Sequence, residues 1–202
     1  MRLNEEQESI RHTVAQFIDK EINPYCDEWE EAGIFPAHDL FKKMGKLGLL
    51  GICKSEKFGG LGLNYSYQVI FSEELGRIRS AGVSMAIGVQ TDMATPALAK
   101  HGSDYLRDKY LTKAISGEAV FAIGVSEPHA GSDVAAIKTR AIKDGDDYII
   151  NGTKMWITNA QHADFFCVLA NTSDDKPHKN KSLIIVPANL PGVSVGEKID
   201  KI

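Results

Sequence analysis

The spacing of apolar residues changes near Gly117, and this change constrains the fold of the 202-residue chain more than any other feature. Upstream, apolar side chains recur three and four positions apart, which is typical of helices with one buried face. Downstream, short β-branched or aromatic runs alternate with turn residues, which is typical of strands. The sequence predicts an all-α domain over residues 1–117 and a strand-rich domain over residues 118–202.

The helical domain carries recognisable start and stop signals. Asn4 followed by Gln7 predicts a capped helix start, and Asn23 with Pro24 predicts the end of that helix. Pro96 predicts a break after the stretch that ends at Thr95. A glycine-rich loop is expected over residues 55–63. Four further stretches have a helical apolar face: residues 40–47, 67–78, 83–95 and 105–116.

Five short runs in the second domain predict strands. Asp144 and Gly145 predict a hairpin turn between the second and third, and the polar residues 171–181 predict an exposed loop. Helices followed by antiparallel strands predict an α+β, multidomain chain with a small antiparallel β-barrel after the helices. The runs are residues 119–125, 137–142, 148–151, 165–170 and 183–186.

Composition excludes several classes of protein. A net charge of -4 gives no electrostatic reason to expect nucleic acid or an anionic membrane as a partner. No apolar run is long enough to span a bilayer, and the N-terminus does not resemble a signal or transit peptide. Cys26, Cys53 and Cys167 are widely spaced, as expected of reduced thiols. We expect a protein that is not secreted, located in a bacterial cytoplasm or in the mitochondrial matrix.

The chain lacks the motifs of three common kinds of site: dinucleotide-binding, metal and serine-hydrolase sites. Gly60 and Gly62 lack the third glycine and the preceding strand of a dinucleotide fingerprint. Paired Cys or His residues at metal-ligand spacing are absent, as is the serine turn of hydrolases. No metal site is predicted.

One constellation remains as a candidate site. An apolar strand opens at Ser126 into a turn of Ser, Gly and Asp residues, which exposes backbone N–H groups and hydroxyls. Trp156 and Thr158 are two residues apart, so on a strand they would face the same side. Backbone donors, an aromatic wall and a hydroxyl suit a large flat heterocycle such as a flavin. The alternative is an ordinary surface turn with a core indole.

The same residues fill a known family signature. It requires a small residue, an aliphatic, Ser or Thr, Glu, two variable residues, a small residue, Gly, Ser or Thr, Asp, two variable residues and a small one. Residues 58–63, 116–118, 151–154 and 157–159 match as well, so the chain resembles the acyl-CoA dehydrogenase family over nearly its whole length. The signature positions are Gly124, Val125, Ser126, Glu127, Ala130, Gly131, Ser132, Asp133 and Ala136.

The resemblance implies an oxidoreductase that acts on CH–CH groups in fatty acid metabolism. Its members use FAD to convert an acyl-CoA thioester to the 2-enoyl-CoA, pass electrons to an electron-transfer flavoprotein and assemble as dimers of dimers. The resemblance covers the first half of the family pattern and implies a C-terminal four-helix bundle beyond residue 202. We therefore expect these residues alone to be inactive and to bind FAD weakly, because an incomplete barrel leaves strand edges unpaired.

The resemblance also assigns flavin contacts residue by residue. Ser126 would meet the ring edge, with flanking backbone contacts from Ile123 and Val125. Trp156 would pack against the ring and Thr158 would hydrogen-bond near the nitrogen that accepts hydride. Ile157 would contribute its backbone between them.

Other assignments concern the pyrophosphate and the substrate. Gly131 and Ser132 would approach the pyrophosphate, and Ser132 would also touch the CoA part of the substrate. Gln90 and Thr91 fall where the family lines its acyl slot, although ordinary helix-face positions fit them as well.

No residue of this chain is assigned as the catalytic base. Glu127 lies inside the signature, but the family uses that position structurally and takes its base from the C-terminal bundle. His129, a lone imidazole in a turn, is expected to have no role in catalysis.

Two alternative functions stay open: a flavin-dependent acyl-CoA oxidase that passes electrons to oxygen, and a non-catalytic truncated or companion subunit without the base. The acyl chain length and branching are not predicted.

Overall fold

The computed structural model describes residues 3–199 and divides the chain into two compact units, Met1–Val120 and Phe121–Ile202. The first unit is built from helices and the second contains a five-stranded sheet. The domain boundary predicted at Gly117 falls at the end of the last helix, just before this division, and stays a prediction.

The helices of the first unit are mostly short and are joined by tight turns. Single 3-10 turns lie at Asn23–Tyr25 and Glu56–Phe58, and π-helical turns at Val89–Met93 and Arg107–Leu111. No helix within residues 3–199 combines the length and the apolar character needed to cross a bilayer. The α-helices are α1 Glu5–Glu21, α2 Cys26–Ala32, α3 Ala37–Lys46, α4 Tyr65–Leu75, α5 Ala81–Gly88, α6 Pro96–His101, α7 Asp104–Leu106 and α8 Thr112–Ser116.

The predicted helix boundaries are confirmed where side chains set them. The Asn4 side chain accepts a hydrogen bond from the Gln7 backbone at 2.8 Å, and the Gln7 side chain accepts one from the Asn4 backbone at 3.1 Å. This reciprocal pair satisfies N–H groups that a helix start leaves unpaired. Pro96 begins α6, as the expected break requires. Helix α2 was not predicted because its sequence is largely acidic, and it buries only Cys26 among the described residues.

A continuous apolar core holds the first unit together. The inward faces of α1, α3, α4 and α5 supply side chains that are almost fully shielded from solvent, and each contributes about 2 kcal/mol by burial. Polar contacts add to this packing: the Gln7 amide donates to the Ser66 hydroxyl at 2.9 Å, which joins α1 to α4. Among the most deeply buried members are Val14, Ile18, Ile22, Phe41, Met44, Phe71 and Ile87.

The sheet of the second unit is organised around its fourth strand. The strands are β1 Phe121–Gly124, β2 Arg140–Asp144, β3 Asp147–Asn151, β4 Phe165–Asn171 and β5 Lys181–Pro187. Strand β4 pairs antiparallel with β5 along its full length, and parallel with β1 over its first half. Strand β2 joins the end of β4 where Arg140 lies opposite Asn171. The predicted hairpin between β2 and β3 is confirmed, with Gly145 at a φ of 60° in its turn.

The predicted antiparallel β-barrel is wrong. Among the described residues the sheet is mixed, because β1 and β2 both run parallel to β4, and it does not close on itself. Apolar runs in a sequence locate strands but carry no information about which strands pair. The long connection between β1 and β4 gives the chain room to return in the same direction, as parallel pairing requires.

Two helical glycines provide a test of how closely the first unit is packed. A Cβ added to Gly45 in α3 would lie 2.1 Å from the carbonyl oxygen of Ser116, whereas one added to Gly88 in α5 would meet no described atom within 4 Å. We expect Gly45→Ala to destabilise the protein by about 2 kcal/mol, because the helix backbone must move away. Gly88→Ala should instead stabilise it by about 0.5–1 kcal/mol through helix propensity. The urea denaturation midpoints of the two variants measure both changes in stability. Equal shifts would refute the close approach of Gly45 to the Ser116 carbonyl.

Candidate functional site

The turn that follows β1 is closed by its own backbone. Glu127 and Ala130 exchange hydrogen bonds, with N to O distances of 2.8 and 3.1 Å. A 3-10 turn at Val134–Ala136 follows, and the Asp133 carboxylate caps it by accepting from the Ala135 N–H at 3.1 Å. Gly131 lies in the exposed part of this turn, and a Cβ added there would meet no described atom within 4 Å. A bound group could therefore approach the backbone here without steric hindrance.

A second segment, residues 152–159, is tied to this turn near Ser126. The Met155 N–H donates to the Ser126 carbonyl oxygen at 2.9 Å. The Lys154 ammonium donates to the Val125 carbonyl oxygen at 3.0 Å. These two bonds hold the residue before Trp156 directly against the start of the turn.

The segment is tied a second time beyond Trp156. The side-chain amide of Asn159 donates to the Phe121 carbonyl oxygen in β1 at 3.1 Å. Trp156, Ile157 and Thr158 therefore lie between two fixed points. The first is at Met155 and the second at Asn159.

Segment 152–159 is a turn, not a strand. Trp156 and Asn159 have φ angles of 65° and 70°, the left-handed region that favours glycine, and they are the only non-glycine residues within positions 3–199 that adopt it. The expectation that Trp156 and Thr158 share one face of a strand is therefore wrong. An aromatic residue in this region costs about 1–2 kcal/mol, and Trp156 as a whole is 56% exposed. Strain of this kind persists where the surrounding contacts enforce it.

The Glu127 carboxylate connects the turn to both neighbouring segments. Its side chain is 2% exposed, and it accepts hydrogen bonds from the Lys138 N–H at 2.7 Å and the Thr139 N–H at 2.9 Å. The Thr139 hydroxyl donates to it as well. Lys154 completes the set with an ion pair at 2.9 Å. One buried carboxylate thus connects the turn with the residues that precede β2 and with the residues that precede Trp156.

These donors determine the charge of the buried pair. Burial alone would raise the pKa of Glu127, but the hydrogen bonds from Lys138, Thr139 and Lys154 outweigh it and lower the pKa to about 2. Burial lowers the pKa of Lys154, and the bond to Glu127 opposes that shift. Glu127 is therefore ionised at neutral pH and its oxygens are fully engaged.

The structure brings most of the predicted flavin contacts into one neighbourhood. The ties at Ser126 and Met155 place the turn beside the Trp156 segment. Trp156 and the exposed turn residues are open to solvent and the others are half-buried, so the group is accessible from solvent. The residues concerned are Ile123, Val125, Ser126, Trp156, Ile157 and Thr158, with Gly131 and Ser132 further along the exposed turn.

The predicted acyl-slot residues belong to the first unit. Gln90 is 1% exposed, and its amide donates to the carbonyl oxygens of Ala114 and Ala119 at 3.1 and 2.9 Å. Thr91 is 2% exposed and donates to the Ile87 carbonyl oxygen at 3.1 Å. These contacts support the helices around them, and a role for either residue in substrate binding stays a prediction.

Sequence reasoning missed Lys154, Thr139 and Asn159. Each acts on a backbone or side-chain group far away in sequence, so no local spacing indicates it. Lys154 and Asn159 do stand in the matched runs 151–154 and 157–159, and these matches were the available signal. His129, expected to be a spectator, is 42% exposed and its ring nitrogen lies 3.4 Å from the Glu127 carboxylate. Within residues 3–199 no cluster of His, Cys, Asp or Glu side chains could hold a metal ion.

The lowered pKa of Glu127 predicts a specific pH dependence. A carboxyl group that titrates at about 2 when folded and near 4.5 when unfolded stabilises the fold above pH 4.5, and this stabilisation is lost as the pH falls toward 2. We expect Glu127→Gln to cost about 3 kcal/mol at pH 7, since it breaks a buried pair. The cost should shrink below pH 4.5. Urea denaturation of both proteins between pH 7 and 3 tests this, with Asp144→Asn at the exposed hairpin as control. A cost independent of pH would contradict it.

The strain at Trp156 can be separated from the loss of its ring. Trp156→Gly and Trp156→Ala both remove the indole, but only glycine adopts a φ of 65° without penalty. We expect the glycine variant to be more stable by about 1 kcal/mol. At the neighbouring Met155, whose φ is not positive, alanine should be the more stable of the two. Denaturation midpoints of the four variants test this. If alanine were more stable than glycine at both positions, Trp156 would be unstrained.

Comparison with known proteins identifies the family. A model of the acyl-CoA dehydrogenase N-terminal domain matches residues 4–118, and one of the middle domain matches residues 122–202. The mitochondrial isovaleryl-CoA dehydrogenase of Pongo abelii is 37% identical over 99% of this chain and 48% of its own length.

Solved structures agree with this assignment. An acyl-CoA dehydrogenase from Geobacillus kaustophilus is similar with a TM-score of 0.92 and 40% identity, over 98% of this chain and 52% of that one. A glutaryl-CoA dehydrogenase from Mycobacterium smegmatis, solved in complex with FADH2, has a TM-score of 0.90 and 32% identity over 99% of this chain and 50% of its own. This chain spans about half the length of these relatives. On the match to both domain models, the chain belongs to the acyl-CoA dehydrogenase family.

Proposed function

We propose that the second unit binds the flavin ring of FAD beside Ser126 and Trp156, as part of an enzyme that dehydrogenates an acyl-CoA thioester at its α and β carbons. The observation that carries this proposal is the 2.9 Å hydrogen bond from the Met155 N–H to the Ser126 carbonyl oxygen. It brings an exposed indole next to a turn of backbone donors. The complex of the related glutaryl-CoA dehydrogenase with FADH2 supports the choice of cofactor.

The described residues fit such a group. Ser126 supplies an N–H and a hydroxyl for polar ring atoms, and Ile123 and Val125 supply flanking backbone. Trp156 offers a flat, half-exposed face for stacking. Ile157 contributes backbone, and the half-buried Thr158 contributes a hydroxyl.

The exposed part of the turn suits a pyrophosphate. Gly131 leaves open space around its backbone, which lets an anionic group approach the N–H groups closely. Ser132 is exposed beside it and provides a hydroxyl for the pyrophosphate and for the CoA part of the substrate.

The proposed chemistry divides between this chain and residues beyond it. When bound, FAD supplies the acceptor for the hydride that leaves the β carbon. Residues of this chain bind and orient it and shield one side of the ring from water. Glu127 does not remove the α-proton, because its carboxylate is buried and already accepts from Lys138, Thr139 and Lys154. As the resemblance to the family implies, the base is expected outside residues 1–202, and Gln90 and Thr91 are proposed to line the acyl slot.

The substrate and partners follow from the same proposal. The isovaleryl- and glutaryl-CoA dehydrogenases among the relatives make short acyl groups the first to test. The expected electron acceptor is an electron-transfer flavoprotein, and the expected assembly is a dimer of dimers.

Two threonines on one segment provide the test of FAD binding. Thr158→Val removes the hydroxyl proposed to face the ring, and we expect about fivefold weaker FAD binding, the effect of one lost hydrogen bond of about 1 kcal/mol. Thr153→Val removes an exposed hydroxyl outside the proposed contact and should leave affinity unchanged. Titration of the apoprotein with FAD, followed by flavin absorbance, gives both constants.

The reaction is tested on the full-length holoprotein, because residues 1–202 alone are expected to be inactive. Anaerobic addition of isovaleryl-, glutaryl- and straight-chain acyl-CoA thioesters should bleach the flavin with at least one of them. An apoprotein that takes up no FAD, or a holoprotein that no thioester bleaches, would overturn the proposal. Rapid reoxidation by air would instead identify an oxidase.

A further inference from the structure

We propose that Lys154 is a positioning residue that polarises the peptide group between Val125 and Ser126, and so favours binding of reduced over oxidised FAD. This inference rests on the proposed function, because it assumes that the Ser126 N–H faces the edge of the flavin ring. It concerns a residue that does not itself touch the cofactor.

The argument begins with one peptide unit. The carbonyl of Val125 and the N–H of Ser126 are conjugated through the same planar C–N bond. The Lys154 ammonium donates to that carbonyl oxygen at 3.0 Å. A cation bound to the oxygen draws electron density away from the nitrogen, which makes the Ser126 N–H a stronger donor.

The surroundings of Lys154 strengthen this effect. Its side chain is 12% exposed, so water screens the charge poorly. Its stem packs against Gly124, where an added Cβ would lie 3.3 Å from the Lys154 Cγ. The Glu127 carboxylate holds the ammonium at 2.9 Å and favours its charged form. The lysine is thus fixed in position, with its ammonium between the Val125 carbonyl and the Glu127 carboxylate.

The other peptide group of Ser126 is fixed as well. Its carbonyl oxygen accepts from the Met155 N–H at 2.9 Å. Ser126 therefore has little freedom to rotate its N–H away from the site. Lys154 controls the strength of this donor, while Met155 controls its direction.

A stronger donor discriminates between the two oxidation states of a ligand. The flavin ring gains electron density on reduction, and an N–H at its edge stabilises the form with more negative charge. Lys154 should therefore raise the affinity for reduced FAD more than the affinity for oxidised FAD. A residue that only supported the fold would change both affinities alike.

A series of substitutions at position 154 separates these roles. Lys154→Met removes the charge and keeps the stem, Lys154→Gln keeps a neutral donor, and Lys154→Arg keeps the charge. We expect the Met and Gln variants to lose about tenfold in preference for reduced FAD, which for a two-electron couple is about 30 mV in midpoint potential. The Arg variant should stay within about twofold of the unmodified protein. Lys143→Met, at an exposed position of β2, is the control for a change in net charge.

The measurements are the dissociation constants of oxidised and reduced FAD for each holoprotein, and the midpoint potential. If Lys154→Met does not fold, the Gln variant carries the comparison, because its amide can still donate to the Val125 carbonyl. Equal losses for the two oxidation states would overturn the role of Lys154 and leave the proposed function standing. Absence of FAD binding by the unmodified protein would refute the proposed function itself.

Discussion

The candidate site depends on one buried carboxylate. Glu127 has a side chain that is 2% exposed, yet it is charged, because backbone and side-chain donors from two other segments surround it. A carboxylate removed from water is stable only when nearly all of its oxygen lone pairs are satisfied. The need to satisfy them dictates where Thr139 and Lys154 lie. The position of the Ser126 turn relative to Trp156 is therefore largely a consequence of solvating this one charge inside the protein.

The sequence predicted those features of the fold that local chemistry controls. The capping pair at Asn4 and Gln7, the break at Pro96 and the hairpin at Gly145 each arise from residues within four positions of one another. The parallel pairing of β4 with β1 depends instead on contacts between residues more than forty positions apart, which a pattern of apolar runs does not encode. Local signals therefore fix the positions of elements but leave the direction of pairing open.

In the candidate site, too, the features set by nearby residues were predicted and those set by distant contacts were not. The signature around Ser126 and the pair Trp156 and Thr158 were visible in the sequence, and the structure places them side by side. Their supporting contacts were not visible. Asn159 reaches the Phe121 carbonyl across 38 positions, and Lys154 reaches Glu127 across 27. The left-handed backbone at Trp156 was missed because a Trp-Ile-Thr sequence favours an extended strand, and only the bonds on either side enforce the turn.

The strained backbone at Trp156 and the hydrogen bonds that hold it lie next to each other for a physical reason. The backbone at Trp156 costs free energy, and the bonds at Met155 and Asn159 on either side hold it in that conformation. In our proposal the groups that touch FAD, such as Ser126, Trp156 and Thr158, are largely distinct from Glu127 and Lys154, which hold the segments together. The indole can then be exposed and oriented before a ligand arrives, so binding does not require that it be ordered first. A site whose contact residues also formed the core would have to bury Trp156, whereas here the residue stays more than half exposed on a fixed backbone.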